Sequence, residues 1–297
     1  MVLRAAAAAG IRIVLLNAYY KFSGFGDKPL GEAQRRFETD SIEGYYEQLD
    51  RLAGLLGPTQ SLGVVAHSLR AVSLPDLARL HAGSVERKLP FHLHLEEQPL
   101  EIEQCLTEHG VTPMELLLDT IEADGRTTAV HCNHTRPEYL RAFAAKGGNV
   151  CICPLTEGNL GDGTHAELHA CGSNVCLGTD CNARICFLEE MRWLEYSQRL
   201  ARVKRGVSVD MPGAVPSFET GPQLLRLATR VGARSLCLPV GAIEPGLKAD
   251  FVAVDLVSPA LAGVADDALA AALVFGVSSQ QVVRSTCVDG VWRDVKR

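Results

Sequence analysis

Short apolar runs alternate with amphipathic stretches along most of this chain, and that alternation constrains the fold more than any other feature. Strand-like runs fall at 12–20, 61–67, 91–95, 127–131, 149–154 and 174–178, with helical patterns at 42–56, 74–82, 100–108, 114–122, 136–146 and 164–170. A β-α-β-α order calls for a parallel sheet, because parallel neighbours need a crossover that a helix supplies. The strands end in polar residues, as they do in a (β/α)8 TIM-type barrel, whose active site lies at the C-terminal strand ends. The expected α/β architecture is such a barrel, with two of its eight βα units missing from the count. Helical patterns at 187–203 and 221–231 follow, separated by a polar loop around 210–216, and from 238 the pattern changes to Gly/Pro-rich turns and short strands, with Asp289-Gly290 as a hairpin turn. The expected organisation is a barrel region, 1–236, and a small β region, 237–297.

Composition narrows the function class. A net charge of −6 and 6% aromatic residues, without a basic cluster interleaved with aromatics, argue against nucleic-acid binding. No apolar run is long enough to span a bilayer. The ten cysteines sit mostly in apolar runs and form no C-x-x-C, which reads as a reducing compartment. The alanine-rich start reads as a helix docked before the first strand rather than a targeting peptide. The expectation is a cytoplasmic protein acting on a small molecule, with homodimer formation left open.

Three strand ends carry chemistry. In Phe91-His-Leu-His-Leu95 the histidines point one way and the apolar residues the other, and Glu97 follows just past the strand. A neutral imidazole can hold a transition metal, and a carboxylate beside it can shuttle protons from water. Taken alone, the motif also fits a surface strand with two solvated histidines. Ala129-Val-His-Cys-Asn-His134 delivers His131 to a second strand end, where a structural histidine is the plain alternative. Val175-Cys-Leu-Gly-Thr-Asp180 ends a buried strand in an aspartate, which could equally cap the next helix. The combination is more specific than any one of them.

These residues resemble the amidohydrolase superfamily, in its deaminase branch with one catalytic metal. Gly241-x-Ile-x-x-Gly246-x-x-Ala249-Asp250 is similar to that superfamily's C-terminal β-sandwich segment. Within the branch, His67-Ser-Leu-Arg-Ala-Val72, His92-Leu-His-Leu-Glu-Glu-Gln98 and Leu155-Thr-Glu-Gly-Asn-Leu-Gly-Asp-Gly163 resemble the N-formimino-L-glutamate deiminase family, as do Gly24-Phe-Gly26, Gln34-Arg-Arg-Phe37 and Glu189-Glu-Met-Arg-Trp-Leu-Glu-Tyr196. The resemblance implies a hydrolase of histidine degradation that uses Zn2+, or another first-row divalent metal, to release ammonia from the formimino carbon. It implies His94 and Asp180 as metal ligands, Glu97 as proton shuttle and His131 as the group orienting the attacking water. Arg70, His67 and Tyr20 would hold the glutamate part of the substrate. A deaminase of purine- or pyrimidine-like cyclic amidines remains the alternative within the branch, and a catalytically inactive fragment the alternative outside it.

Two departures accompany the resemblance. The superfamily's first-strand H-x-H, which supplies two further ligands, is absent, and Asn182 stands where the family usually has histidine. The chain is therefore expected to enter in the helix before the third strand. Expressed alone, it is expected to bind zinc weakly or aggregate through unprotected strand edges.

Overall fold

The computed structural model describes residues 1–165, 168–172, 174–181, 184–210 and 220–295. The chain divides into two units: Met1–Val150 with Ser235–Cys237, and Cys151–Arg234 with Leu238–Arg297. In the first, α1 (Val2–Ala9) leads into β1 (Ile13–Tyr19), and α2 (Ile42–Ala53) into β2 (Gln60–Ser68). α3 (Leu74–Glu86), β3 (Phe91–Leu95), α4 (Pro99–His109), α5 (Pro113–Thr120), β4 (Thr127–His131) and α6 (Pro137–Ala145) follow. Each of α4, α5 and α6 opens on a proline, whose fixed φ suits the first helical position, where no N–H partner is needed. Ser41 and Ser73 cap α2 and α3 through their hydroxyls.

β1 to β4 pair in parallel and in chain order, with Ile13 opposite Gln60 and Phe91 opposite Thr127. β5 (Asn149–Ile152) begins beside β4, where the Asn149 amide donates to the carbonyls of Gly125 (3.0 Å) and Thr127 (3.2 Å). The chain passes into the second unit inside this strand. There, the N–H of Gly178, just past β6 (Val175–Leu177), donates to Ile152 O at 3.0 Å. The six strands thus run in the order β1 to β6, an α/β architecture with a parallel sheet. Phe91, Leu93 and Leu95 are fully buried, and β3 has the bounds that its alternation predicts. One register shift interrupts β2 against β3: Val65 faces His92, but Ser68 faces His94. Three residues of β2 therefore span two of β3, and the bulge turns the backbone near His67 away from regular pairing.

The second unit also contains α7 (Pro154–Leu160), α8 (Phe187–Arg202), α9 (Thr220–Arg226) and the first three residues of α10 (Gly232–Ser235). It ends with β7 (Phe251–Val254), α11 (Leu269–Phe275), α12 (Ser279–Val282), β8 (Val283–Val288) and β9 (Val291–Asp294). β7, β8 and β9 form an antiparallel three-stranded sheet, and Leu261, Val277 and Val282 are the buried centre of a small core here. The expected helix at 164–170 is instead a 3-10 turn over Leu168–Cys171, with 166–167 outside the described residues. No helix among the described residues is long and apolar enough to cross a membrane.

α9 and α11 cross closely at Gly221. A Cβ there would lie 2.6 Å from Ala271 N and 2.7 Å from Ala270 C, both backbone atoms that cannot swing aside. Gly221→Ala is therefore expected to cost about 1–3 kcal/mol and lower the melting temperature by several degrees. Gly158→Ala, which meets nothing within 4 Å, is the control that leaves it unchanged or slightly raised. Equal melting temperatures for the two variants in a thermal scan would contradict this close crossing.

Candidate active site

The first unit gathers an imidazole cluster at the ends of β2, β3 and β4. The His94 ring lies 5.0 Å from the His67 ring and 5.6 Å from the His131 ring, on which it stacks. His94 Nδ1 is 2.8 Å from the backbone carbonyl of His67, beside the β2 bulge. A carbonyl can only accept, so Nδ1 carries the hydrogen, and in the neutral ring Nε2 then holds the lone pair. That tautomer suits a metal ligand. His131 is fully buried, and its Nε2 lies 3.6 Å from Glu97 Oε1. Burial lowers the His67 pKa to about 3, aided by the neighbouring His94 and Arg70 charges, so His67 is neutral at physiological pH.

Backbone strain concentrates at these strand ends. Glu96, His131 and Cys132 have φ of 51°, 76° and 56°, the left-handed region that non-glycine residues avoid. Buried carboxylates hold this backbone in place. Glu96 Oε1 accepts from Met114 N at 2.9 Å, and Glu101 Oε2 accepts from Glu97 N at 3.3 Å. The turn after β3 brings the Glu97 carboxylate to His131, whose ring stacks on that of His94.

The residues expected to hold substrate divide between two cavities of the first unit. His67 and Tyr20, whose rings meet edge-on at 4.5 Å, line a cavity of about 520 Å3 with Gln34, Arg36, Phe37 and Asn17. The Gln34 amide donates to Tyr20 OH at 2.9 Å and fixes the phenol from the loop side. Arg70 lines a second cavity of about 260 Å3 with Phe22, Gly24, Phe25, Glu108 and His109. Its Nε is buried without a hydrogen-bond partner. The Gly24-Phe-Gly26 and Gln34-Arg-Arg-Phe37 motifs thus build cavity walls, a role their sequence alone does not disclose.

In the second unit Asp180 occupies the turn after β6, with φ 35°. Thr156 of α7 braces that turn from both sides: its hydroxyl meets Thr179 O at 3.4 Å and accepts from Cys181 N at 3.2 Å. Glu157 Oε1 accepts from Cys153 N at 2.9 Å, and Glu190 Oε2 accepts from Leu155 N at 3.0 Å. Burial raises the Glu190 carboxyl to about 7, with Glu157, Glu189 and Asp180 adding to the rise. Thr156, Glu157 and Glu190 escaped sequence reasoning as site-building residues. The available signal was the acidic residues on the buried face of α8, where Glu190, Met191, Leu194, Glu195 and Gln198 follow helical spacing. Asn182 lies outside the described residues.

Residues 1–293 match the Amidohydrolase family, and the chain belongs to it. It is 37% identical over 294 residues to the formimidoylglutamate deiminase of Pseudomonas aeruginosa, an alignment covering 97% of this chain and 63% of that protein. It is 36% identical over 238 residues to the 5-methylthioadenosine/S-adenosylhomocysteine deaminase of Pelotomaculum thermopropionicum, covering 78% and 50% of the two chains. The chain therefore spans less than two thirds of these curated relatives. The crystal structure of an amidohydrolase from Brucella melitensis superposes with a TM-score of 0.83 at 32% identity, covering 98% of this chain and 63% of its own. An adenosine deaminase from Xanthomonas campestris with bound zinc shares the fold at TM-score 0.80 and 20% identity, covering 99% and 63%.

His92 shares the strand face of His94 but serves a different purpose. It is buried, and its Nε2 lies 2.9 Å from the Ser235 carbonyl. Burial lowers its pKa to about 4, so the ring is neutral and Nε2 donates. His92→Phe keeps the volume but strands that carbonyl, at an expected cost of about 1–3 kcal/mol in urea denaturation. Metal content should stay unchanged. Unaltered stability with lost metal would assign His92 to the site instead.

Proposed function

We propose that the protein is a metal-dependent hydrolase that converts N-formimino-L-glutamate and water to N-formyl-L-glutamate and ammonia, a reaction of histidine degradation. The observation that carries this reading is the placement of the Glu97 carboxylate 3.6 Å from buried His131, whose ring stacks on the Nδ1-protonated His94. In this reading His94, through Nε2, and Asp180 hold a zinc ion. An imidazole and a carboxylate are donors that zinc accepts, and the His94 tautomer already presents its lone pair at the nitrogen required. Held by these residues, zinc would supply a Lewis acid that eases deprotonation of water at neutral pH.

The residues of the chain supply the rest of the chemistry. Glu97 takes the proton from the attacking water and delivers it to the departing nitrogen. His131 hydrogen-bonds that water and orients it. The Arg70 guanidinium offers a planar fork to a carboxylate, and His67 and Tyr20 add donors around the glutamate moiety. The P. aeruginosa relative, similar along nearly the whole chain, supports the same substrate. The parallel sheet corresponds in this reading to the third to eighth strands of an amidohydrolase barrel within 1–236, and β7 to β9 to the family's C-terminal β-sandwich within 237–297.

An ammonia-release assay with N-formimino-L-glutamate tests the proposal. Arg70→Ala is expected to raise KM with little change in kcat, because a desolvated charge-assisted pair is worth about 2–5 kcal/mol, which is about 30-fold or more. Turnover of 5-methylthioadenosine or adenosine instead, insensitive to Arg70→Ala, would move the assignment to a deaminase of cyclic amidines, since a neutral base does not require a guanidinium.

A further inference from the structure

Glu101 is a buried carboxylate that the proposed reaction does not use. It occupies the first turn of α4 and is 1% exposed. Its Oε2 accepts from the Glu97 N–H at 3.3 Å, while its Oε1 is buried without a hydrogen-bond partner. Arg70, just past the end of β2, has its Nε buried in the same state, and its charge acts on Glu101. Two incompletely satisfied buried groups of opposite charge therefore lie within electrostatic reach, one in the wall of a cavity and the other on the backbone of the proton-carrying residue. Leaving such groups unpaired is costly, and that cost is a recurrent feature of sites that respond to a ligand.

We infer that Glu101 is a positioning residue that fixes Glu97 against His131, and that the charge of Glu101 itself is coupled to that of Arg70. A carboxylate bound to Arg70 offsets the cation that favours the ionised form of Glu101, and Glu101 then takes up a proton from solvent. Its remaining neighbours act in known directions. Burial raises its pKa most, to about 7; Arg70 lowers it, Glu96 raises it, and the N–H groups of Glu96 and Glu97 lower it. Cys105, one turn along α4, also feels its charge. Glu96 in turn faces Thr135, His134 and Arg136. A group poised near neutrality converts a modest electrostatic change into a change of protonation. Either protonation state retains an oxygen that accepts from Glu97 N, so the anchor persists while the charge changes.

The carboxylate arm of this inference rests on the deiminase reading, whereas the positioning arm does not. Both are tested with Glu101→Gln, which keeps an acceptor oxygen without a titrating proton, and Glu101→Ala, which keeps neither. In hydrogen-exchange mass spectrometry, peptides spanning 95–99 should lose protection in Glu101→Ala and keep it in Glu101→Gln. Calorimetric binding of N-formyl-L-glutamate at pH 7 in buffers of different ionisation enthalpy should report proton uptake by wild type that is lost in Glu101→Gln. In turnover, kcat should fall by about 10- to 100-fold in Glu101→Ala with KM within a few-fold, as expected for a misplaced proton carrier, and recover in Glu101→Gln. Unchanged protection in Glu101→Ala, or equal damage by the two variants, would overturn the positioning role. Proton uptake that persists in Glu101→Gln would overturn the coupling. If wild type neither binds nor turns over these glutamate derivatives, the deiminase reading fails, and the exchange result alone still decides the positioning.

Discussion

The contact between His94 Nδ1 and the His67 carbonyl is the constraint on which the rest of the site depends. A single 2.8 Å interaction sets which nitrogen of His94 bears a proton, and therefore which can act as a ligand. It exists because β2 is bulged between Val65 and Ser68, so the carbonyl at His67 points at a side chain instead of into the ladder. The same ring then stacks on His131, and His131 neighbours Glu97. Fold, tautomer and the position of the Glu97 carboxylate are connected through backbone geometry at three neighbouring strands.

A second theme is the use of buried carboxylates as acceptors for backbone N–H groups. Glu96 serves Met114, Glu101 serves Glu97, Glu157 serves Cys153, Glu190 serves Leu155, and Glu195 serves both Val207 and Ser208. Loops that follow strands carry N–H groups without ladder partners, and a buried acceptor satisfies them where water cannot reach. At one of these places the backbone is also left-handed: Glu96, with φ 51°, directly precedes the Glu97 N–H that Glu101 accepts. An ionised carboxylate is costly in such surroundings, which is why Glu101 and Glu190 are both raised to about 7.

Local pattern made the first five strands legible to within a residue or two, because period-two alternation and proline-started helices are short-range signals. The pattern that aligns His92 with His94 carries no information on depth, and depth separates them: His92 meets the Ser235 carbonyl, more than a hundred residues away in sequence. The three-residue spacing draws attention to Glu97, but its place beside His131 depends on the turn after β3, where Glu96 has φ 51° and Glu101 accepts from the Glu97 N–H. α7 stayed hidden because Gly158 and Asn159 are poor helix formers, and its hydrogen bonds to the turn after β6 and to Glu190 of α8 are tertiary. α11 stayed hidden for the opposite reason, a continuous apolar run without helical periodicity.

The central claim is that His94, held by the His67 carbonyl, presents Nε2 to a metal. Anomalous diffraction from zinc-loaded crystals, collected on both sides of the zinc absorption edge, tests it most directly. The expected result is an anomalous peak at coordination distance, about 2.0–2.1 Å, from His94 Nε2, with Asp180 as a second ligand and His94 Nδ1 still on the His67 carbonyl. A peak bound through Nδ1 with that contact broken, or zinc confined to other residues, would contradict the account.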